Sequence, residues 1–224
     1  MGQEVKLPEN QIITGDCLDI LKDFPNDCVD LVLTDPPYGI GMANWDDKPM
    51  TNEQRDECLR VGLNQMFFGG NYFELPHTES WICWDKTYRY AQKLDIGEFE
   101  MIWTSFIHKA TFIRYTCCGN FRGLNESVRA NYNKAPNDHP TEKPLDLMRH
   151  IIKQYSLPND LILDPFCGSG TTCVAAKMLG RRYIGIDISE EYCNIARQRL
   201  EAVDTGVPVK EQRKGQQALF QNKP

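Results

Sequence analysis

The sequence predicts an α/β fold, a mostly parallel sheet with helices on both faces. Three observations predict it. Short apolar runs recur along the 224 residues, several of them end in turn chemistry or an acid, and helical patterns lie between them. Apolar runs bounded by turn signals read as buried strands. Strands that alternate with helices pair in parallel and bury both faces of their sheet.

The strand candidates come in order. They are "QIIT" before Gly15-Asp16, "VDLVLT" before Asp35, "SWICW" before Asp85, "EMIWTS", "LILD" ending at Asp164, and "RYIGID" ending at Asp187. Four segments carry helical patterns. "NEQRDECLRVGLNQMF" has helical apolar spacing, with Thr51 as its N-cap. "PLDLMRHIIKQYS" starts with proline at a first-turn position. "TTCVAAKMLG" ends in the C-capping Gly180. "SEEYCNIARQRLEAV" opens with Ser189 as a cap and acids in the first turn. Residues 107–138 interrupt this rhythm and read as a small inserted loop region within a single domain over 1–204. Residues 205–224 read as a flexible polar tail.

Composition excludes several classes. No apolar run approaches the roughly 18 residues of a membrane helix, and the polar, acidic start "MGQEVKLPEN" is no signal peptide. Nine cysteines occur without a CxxC pair, which fits a reducing cytoplasm better than a disulfide scaffold or a zinc site. The net charge is −6, unevenly spread. Residues 1–60 carry 5 Lys+Arg against 13 Asp+Glu, whereas residues 107–143 carry 6 against 3. Phe112, Tyr115, Phe121 and Tyr132 lie within that basic stretch. An acidic body with a basic, aromatic segment still suits docking on a phosphate backbone.

Two stretches carry chemistry. "LTDPPYGIG" ends a strand with two prolines, which neither a helix nor a central strand accepts. It holds the carboxylate of Asp35 and the ring of Tyr38 on a stiff backbone. "LILDPFCGSGTTCVAAKMLG" is a strand, a glycine turn and a helix, placed where open sheets bind cofactors. It contains neither the phosphate-cradling GxxxxGKS pattern nor the third glycine of the dinucleotide fingerprint. A nucleoside-type cofactor without a pyrophosphate fits better, and Asp187 ends the next strand where an acid can hold a ribose.

Together, "DPPY" and "DPFCGSGTT" resemble the S-adenosylmethionine-dependent DNA amino-methyltransferases. DPPY precedes the glycine loop, as in their permuted beta class. "GDC" (Gly15–Cys17), "FFGGNYFE", "WICWDK" and "HPTEKP" (His139–Pro144) resemble further motifs of that class, so the likeness spans residues 11–203. It implies a Rossmann-like methyltransferase fold with a mostly parallel seven-stranded sheet and circularly permuted motif order. It assigns Asp35, Pro36, Pro37 and Tyr38 to catalysis. It assigns Asp164, Phe166, Gly168, Ser169, Gly170 and Thr171 to the cofactor loop, Asp16 and Cys17 to the adenine, and Asp187 to the ribose. His139, Thr141 and Lys143 fall near the methionine end, with Lys143 pairing the carboxylate.

The implied activity is methylation of the adenine N6 amino group in duplex DNA, on a base flipped from the helix. Asp35 and the Pro36 carbonyl accept the two N–H bonds, and Tyr38 stacks the base, with Trp45 in the following loop as a further contact. Aspartate at position 35 favours adenine over the alternative, cytosine N4, where the family more often carries serine. Cytosine C5 methylation needs a covalent thiolate, usually in a Pro-Cys pair that this sequence lacks. A non-catalytic DNA-binding module of the same fold is the other alternative. Base readers are sought among Arg122, Asn125, Arg129, Asn131 and Asn133. A region this small suggests a short target site or help from a second protomer. "GQQALF" resembles the peptides that bind the sliding clamp, through Gln216–Phe220.

Overall fold

In the computed structural model the described residues are 6–41, 46–86, 97–118, 121–124, 129–130 and 143–206. The strands are β1 (Gln11–Thr14), β2 (Val29–Thr34), β3 (Gly62–Phe68), β4 (Ile82–Asp85), β5 (Phe99–Thr104), β6 (Thr111–Cys118), β7 (Phe121–Leu124), β8 (Arg129–Ala130), β9 (Leu161–Asp164) and β10 (Arg182–Asp187). The helices are α1 (Cys17–Leu21), α2 (Asn52–Val61), α3 (Leu145–Tyr155), α4 (Thr171–Met178) and α5 (Glu190–Thr205).

One sheet runs β1-β10-β9-β2-β3-β5-β4-β6-β7-β8. The first five strands are mutually parallel, and β5 is antiparallel to both of its neighbours. The seven strands from β1 to β4 are the expected sheet. Residues 107–138 were expected as loop, and this is corrected: their described part contributes β6, β7 and β8, which extend the sheet beyond β4.

A second expectation is also corrected. The helical spacing of Asn52–Phe67 continues past Gly62, because Leu59, Leu63 and Met66 keep three- and four-residue steps. The helix nevertheless stops at Val61, and Gly62 turns extended (φ −98°, ψ 136°). Burial decides the matter. Met66, Phe67 and Phe68 form an apolar run that lies fully buried as a strand between β2 and β5. Thr51 caps α2 as expected, with Gln54 completing a reciprocal capping box.

Both sheet faces are covered. Ile151 and Ile152 of α3, Val174 of α4 and Ala196 of α5 close one face over Leu31, Phe68 and Ile162. Leu21, Cys58 and Val61 close the other over Val32, Phe67 and Ile184. The chain moves outward from β9 to β10 in one direction and from β2 to β3 in the other. The order therefore reverses between β9 and β2, which leaves a crevice at their carboxyl ends, where open sheets bind ligands.

Candidate active site

The loop after β2 is stiff for identifiable reasons. Pro36 and Pro37 have no N–H and end the sheet ladder. The buried carboxylate of Asp46, 2% exposed, gathers the next three amides. It accepts from Tyr38 N at 2.7 Å, Gly39 N at 2.8 Å and Ile40 N at 3.3 Å. The Pro37 carbonyl accepts from Met50 N at 3.0 Å. Gly39 turns left-handed (φ +72°), and a side chain there would meet Pro49 at 2.6 Å.

This loop carries Asp35 into a network of charges. Tyr38 Oη lies 2.5 Å from Asp35 Oδ1 and 2.8 Å from Glu100 Oε1 on β5. Lys143 Nζ donates to Asp35 Oδ2 at 2.5 Å and lies 3.1 Å from Glu100 Oε1. Lys86, just after β4, pairs with Glu100 Oε2 at 2.7 Å. Burial pushes the Asp35 carboxyl above its ordinary range, and Lys143 opposes that without cancelling it. Burial also works against the Glu100 carboxylate, but Lys143 and Lys86 outweigh it and hold that group below its usual value. The Tyr38 phenol is pushed up by burial and by the two carboxylates, so it keeps its proton. Its ring stacks on Tyr72 (4.9 Å between centroids, 14° between planes) and lies against Gly69, where a side chain would meet the ring at 2.4 Å.

The glycine loop after β9 is tied to β2, the strand that leads into Asp35. Asp164 is buried and accepts from Thr34 Oγ1 at 2.8 Å, Thr172 Oγ1 at 2.6 Å and Phe166 N at 3.2 Å. Burial raises its carboxyl to about 6. Asp187 accepts from Gly168 N at 2.9 Å and from Ser189 N at 2.8 Å, which joins the loop to the end of β10. Ser169 receives Arg199 at 2.7 Å. Gly170 (φ +80°) starts α4, where a side chain would strike Ala196 at 2.6 Å. Asp16 caps α1 through Leu18 N at 2.8 Å.

A single cavity of about 380 Å³ joins these parts. Asp35 and Pro37 line it, as do Asp16, Cys17, Lys143, Asp164, Phe166, Gly168, Ser169, Thr171 and Asp187. Pro36 is buried, and Tyr38 faces the network behind Asp35. Gly170 serves the contact between α4 and α5. The structure gives Lys143 two carboxylate partners on the catalytic side, where pairing with a cofactor carboxylate was expected. Burial pushes the Cys17 thiol to about 12, so it remains protonated at neutral pH and is no thiolate nucleophile. His139, Thr141, Trp45, Asn125, Asn131, Asn133 and Gln216–Phe220 lie outside the described residues. Arg122 and Arg129 sit on β7 and β8.

Sequence reasoning missed Glu100, Lys86, Asp46 and Tyr72. Glu100 did carry a signal: it is an acid between Phe99 and Met101 in an otherwise apolar strand. A charge kept in such a place has a partner.

The family model described as "DNA methylase", which covers N6 and N4 methyltransferases, matches residues 66–198. That span includes the glycine loop and Glu100 and begins beyond Asp35. The Type II methyltransferase M.HpaI of Haemophilus parainfluenzae is 31% identical over 88% of this chain and 76% of its own. The Type II methyltransferase M.HinfI of Haemophilus influenzae is 28% identical over 87% and 69%. Among solved structures, the M1.HpyAVI–SAM complex superposes with a TM-score of 0.56 at 28% identity, covering 85% of this chain and 99% of that one. A sheet whose glycine loop and acid-bearing loop meet at one crevice defines a Rossmann-like transferase, and the chain belongs to the N6/N4 DNA methylase family.

Proposed function

We propose that the protein transfers a methyl group from S-adenosylmethionine to the N6 amino group of adenine in a specific duplex DNA sequence. One observation carries the reading: Asp35, at the end of β2, and the glycine loop, at the end of β9, line the same cavity. The cavity fits the cofactor by its chemistry. The loop turns tightly at Gly168 and Gly170 (φ 49° and 80°), so backbone can lie close to a ligand. Phe166 and Cys17 offer apolar walls for an adenine, and Asp16 and Asp187 offer carboxylates for amino and hydroxyl groups. The solved structure of the M1.HpyAVI–SAM complex supports the same choice. When bound, S-adenosylmethionine supplies an electrophilic methyl group on a sulfonium whose thioether leaves neutral.

The protein then has to prepare the nucleophile. The lone pair of an aromatic amino group is delocalised into its ring. Asp35 and the Pro36 carbonyl accept its two N–H bonds, favour a pyramidal nitrogen and stabilise the charge that develops on it. Asp46 fixes the loop that presents both acceptors. The flipped base joins the Tyr38–Tyr72 stack, which offsets part of the few kcal/mol that unstacking costs. Aspartate at position 35 favours adenine. The fold does not discriminate here, since the PvuII cytosine-N4-specific enzyme superposes with a TM-score of 0.53 at 18% identity. Specific reading of the duplex falls to β6–β8 and their connections. Clamp binding through Gln216–Phe220 and pairing with a second protomer complete the proposal, and a clamp pull-down that survives deletion of Gln216–Phe220 counts against the former.

The test is Asp35→Ala. Methyl transfer should fall by at least about a hundredfold, while S-adenosylmethionine and DNA binding are retained. Unchanged transfer would sink the role of Asp35. A wild-type protein that binds DNA but transfers nothing would make it a binding module.

A further inference from the structure

Glu100, Lys86 and Lys143 form a cluster of charges behind Asp35 to which the reading above gives no chemistry. Its centre is the Tyr38 hydroxyl. A phenol has one proton to donate, yet Tyr38 Oη lies within hydrogen-bond range of two carboxylate oxygens, at 2.5 Å and 2.8 Å. With both carboxylates ionised, one of these contacts sets two lone-pair oxygens against each other. One additional proton removes the conflict, because Asp35 then donates to Tyr38 and Tyr38 donates to Glu100. The charges allow for both states. Lys143 and Lys86 balance Asp35 and Glu100 when both are ionised, which leaves Asp35 free to accept an amino N–H. The three oxygens, each within hydrogen-bond range of the next, therefore form a path with room for one more proton.

We infer that Glu100 acts through Tyr38 as the acceptor of the proton released when the target amino group is methylated. This rests on the function proposed above. Methylation leaves the amino nitrogen with an extra bond and a positive charge. One N–H bond breaks, its electron pair stays on nitrogen, and the proton forms an O–H bond on Asp35. That proton passes from Oδ1 to Tyr38 Oη as the phenol's own proton passes to Glu100 Oε1. Asp35 is again ionised, the phenol is neutral, and Glu100 carries the proton only in passing, since Lys143 and Lys86 favour its ionised form. Release of that proton to solvent, by breaking the Glu100 O–H bond, resets the path. Glu100 is 62 positions from Tyr38 in sequence and is delivered by β5, the strand antiparallel to its neighbours.

Two measurements test this on the full chain. The first is single-turnover methyl transfer by Glu100→Gln, Tyr38→Phe and the double variant, with cofactor affinity and thermal unfolding as controls for folding. Each single change should slow transfer by at least about tenfold, and the double variant should be no slower than the slower single. A Glu100→Gln rate equal to wild type, or a double variant slowed by the product of the singles, overturns the inference. Glu100→Asp is made in parallel, so that a misfolded glutamine variant leaves the cycle measurable. The second measurement is infrared titration of the protein alone, following the protonated-carboxyl stretch assigned by its loss in Asp35→Asn. Removing the negative neighbour should make that band appear only at lower pH in Glu100→Gln, and an unmoved titration contradicts the coupling. If wild type yields no N6-methyladenine, the proposed function fails, and the infrared titration still decides the coupling.

Discussion

Thr34 and Asp164 meet across two adjacent strands: the threonine hydroxyl donates to Asp164 Oδ1 at 2.8 Å, with both groups buried. Thr34 immediately precedes Asp35, and Asp164 immediately precedes the glycine loop. One hydrogen bond thus joins the strand end that carries Asp35 to the glycine loop that lines the same cavity. Thr172 holds the other Asp164 oxygen at 2.6 Å.

The burial of Asp164, which outweighs these hydrogen bonds, makes stability depend on pH. The folded-state carboxyl of Asp164 is raised to about 6, above the unfolded value near 3.8. The native state therefore holds a proton that the unfolded chain has lost, and stability falls as pH rises between those values. Two units correspond to about 3 kcal/mol. Urea unfolding of wild type and Asp164→Asn should show their difference moving by about that amount in favour of asparagine from about pH 3.5 to about pH 7. A difference that does not vary with pH contradicts the assignment.

Asp46 is buried and accepts from three backbone amides. Asp46→Ala orphans all three amides, and hydrogen bonds to a charged group are worth about 1.5–3 kcal/mol each before relaxation. Thermal unfolding should register a loss of about 3 kcal/mol, and kcat should fall because the loop no longer presents Asp35. Asp46→Asn, which keeps one acceptor oxygen, should lie between. Wild-type kcat in the alanine variant would remove Asp46 from the loop's support.

Tyr72 is 49% exposed although its ring stacks on the half-buried Tyr38. If the flipped base adds to this stack as proposed, Tyr72 offers it an open ring. Tyr72→Ala should raise the KM for DNA by at least about tenfold with little change in kcat, as expected for a stacking loss of about 1–3 kcal/mol. Tyr72→Phe should leave KM unchanged. Equal KM values in all three proteins would exclude Tyr72 from the base site.

Gly170 combines a left-handed backbone with contact against Ala196. Gly170→Ala should cost about 1–3 kcal/mol in strain, plus repulsion between α4 and α5, and should weaken cofactor binding measured calorimetrically. Ala196→Gly in the same chain relieves the repulsion alone, so recovery should be partial. Full recovery would show that the backbone angle carries no strain.

Much of this was legible in the sequence because the signals are local. Proline at 36 and 37 ends a strand wherever it stands, glycine at 168 and 170 permits backbone angles that other residues resist, and Thr51 and Ser189 cap the helices that follow them. Strand β3 was hidden because Leu59, Leu63 and Met66 satisfy helical spacing, and only neighbours on both sides make residues 62–68 a strand. Strands β6–β8 were hidden because pairing at a sheet edge, parallel for β6 on β4 and antiparallel beyond it, shows in partners rather than in composition. Lys143 meets both Asp35 and Glu100, and Lys86 meets Glu100; they come from separate segments, and no spacing rule links residues that only the sheet order brings together. Asp16, Asp164 and Asp187 were read as ligand acids, and each also has a structural partner: Asp16 caps α1, whereas Asp164 and Asp187 accept donors that shape the glycine loop.

The most direct test of the central claim is the identity of the methylated base. Duplex DNA is incubated with the protein and S-adenosylmethionine, digested to nucleosides and separated by mass spectrometry, with Asp35→Ala alongside. The predicted result is N6-methyladenine with wild type and none with the variant. N4-methylcytosine in its place, or N6-methyladenine undiminished in Asp35→Ala, would contradict the account.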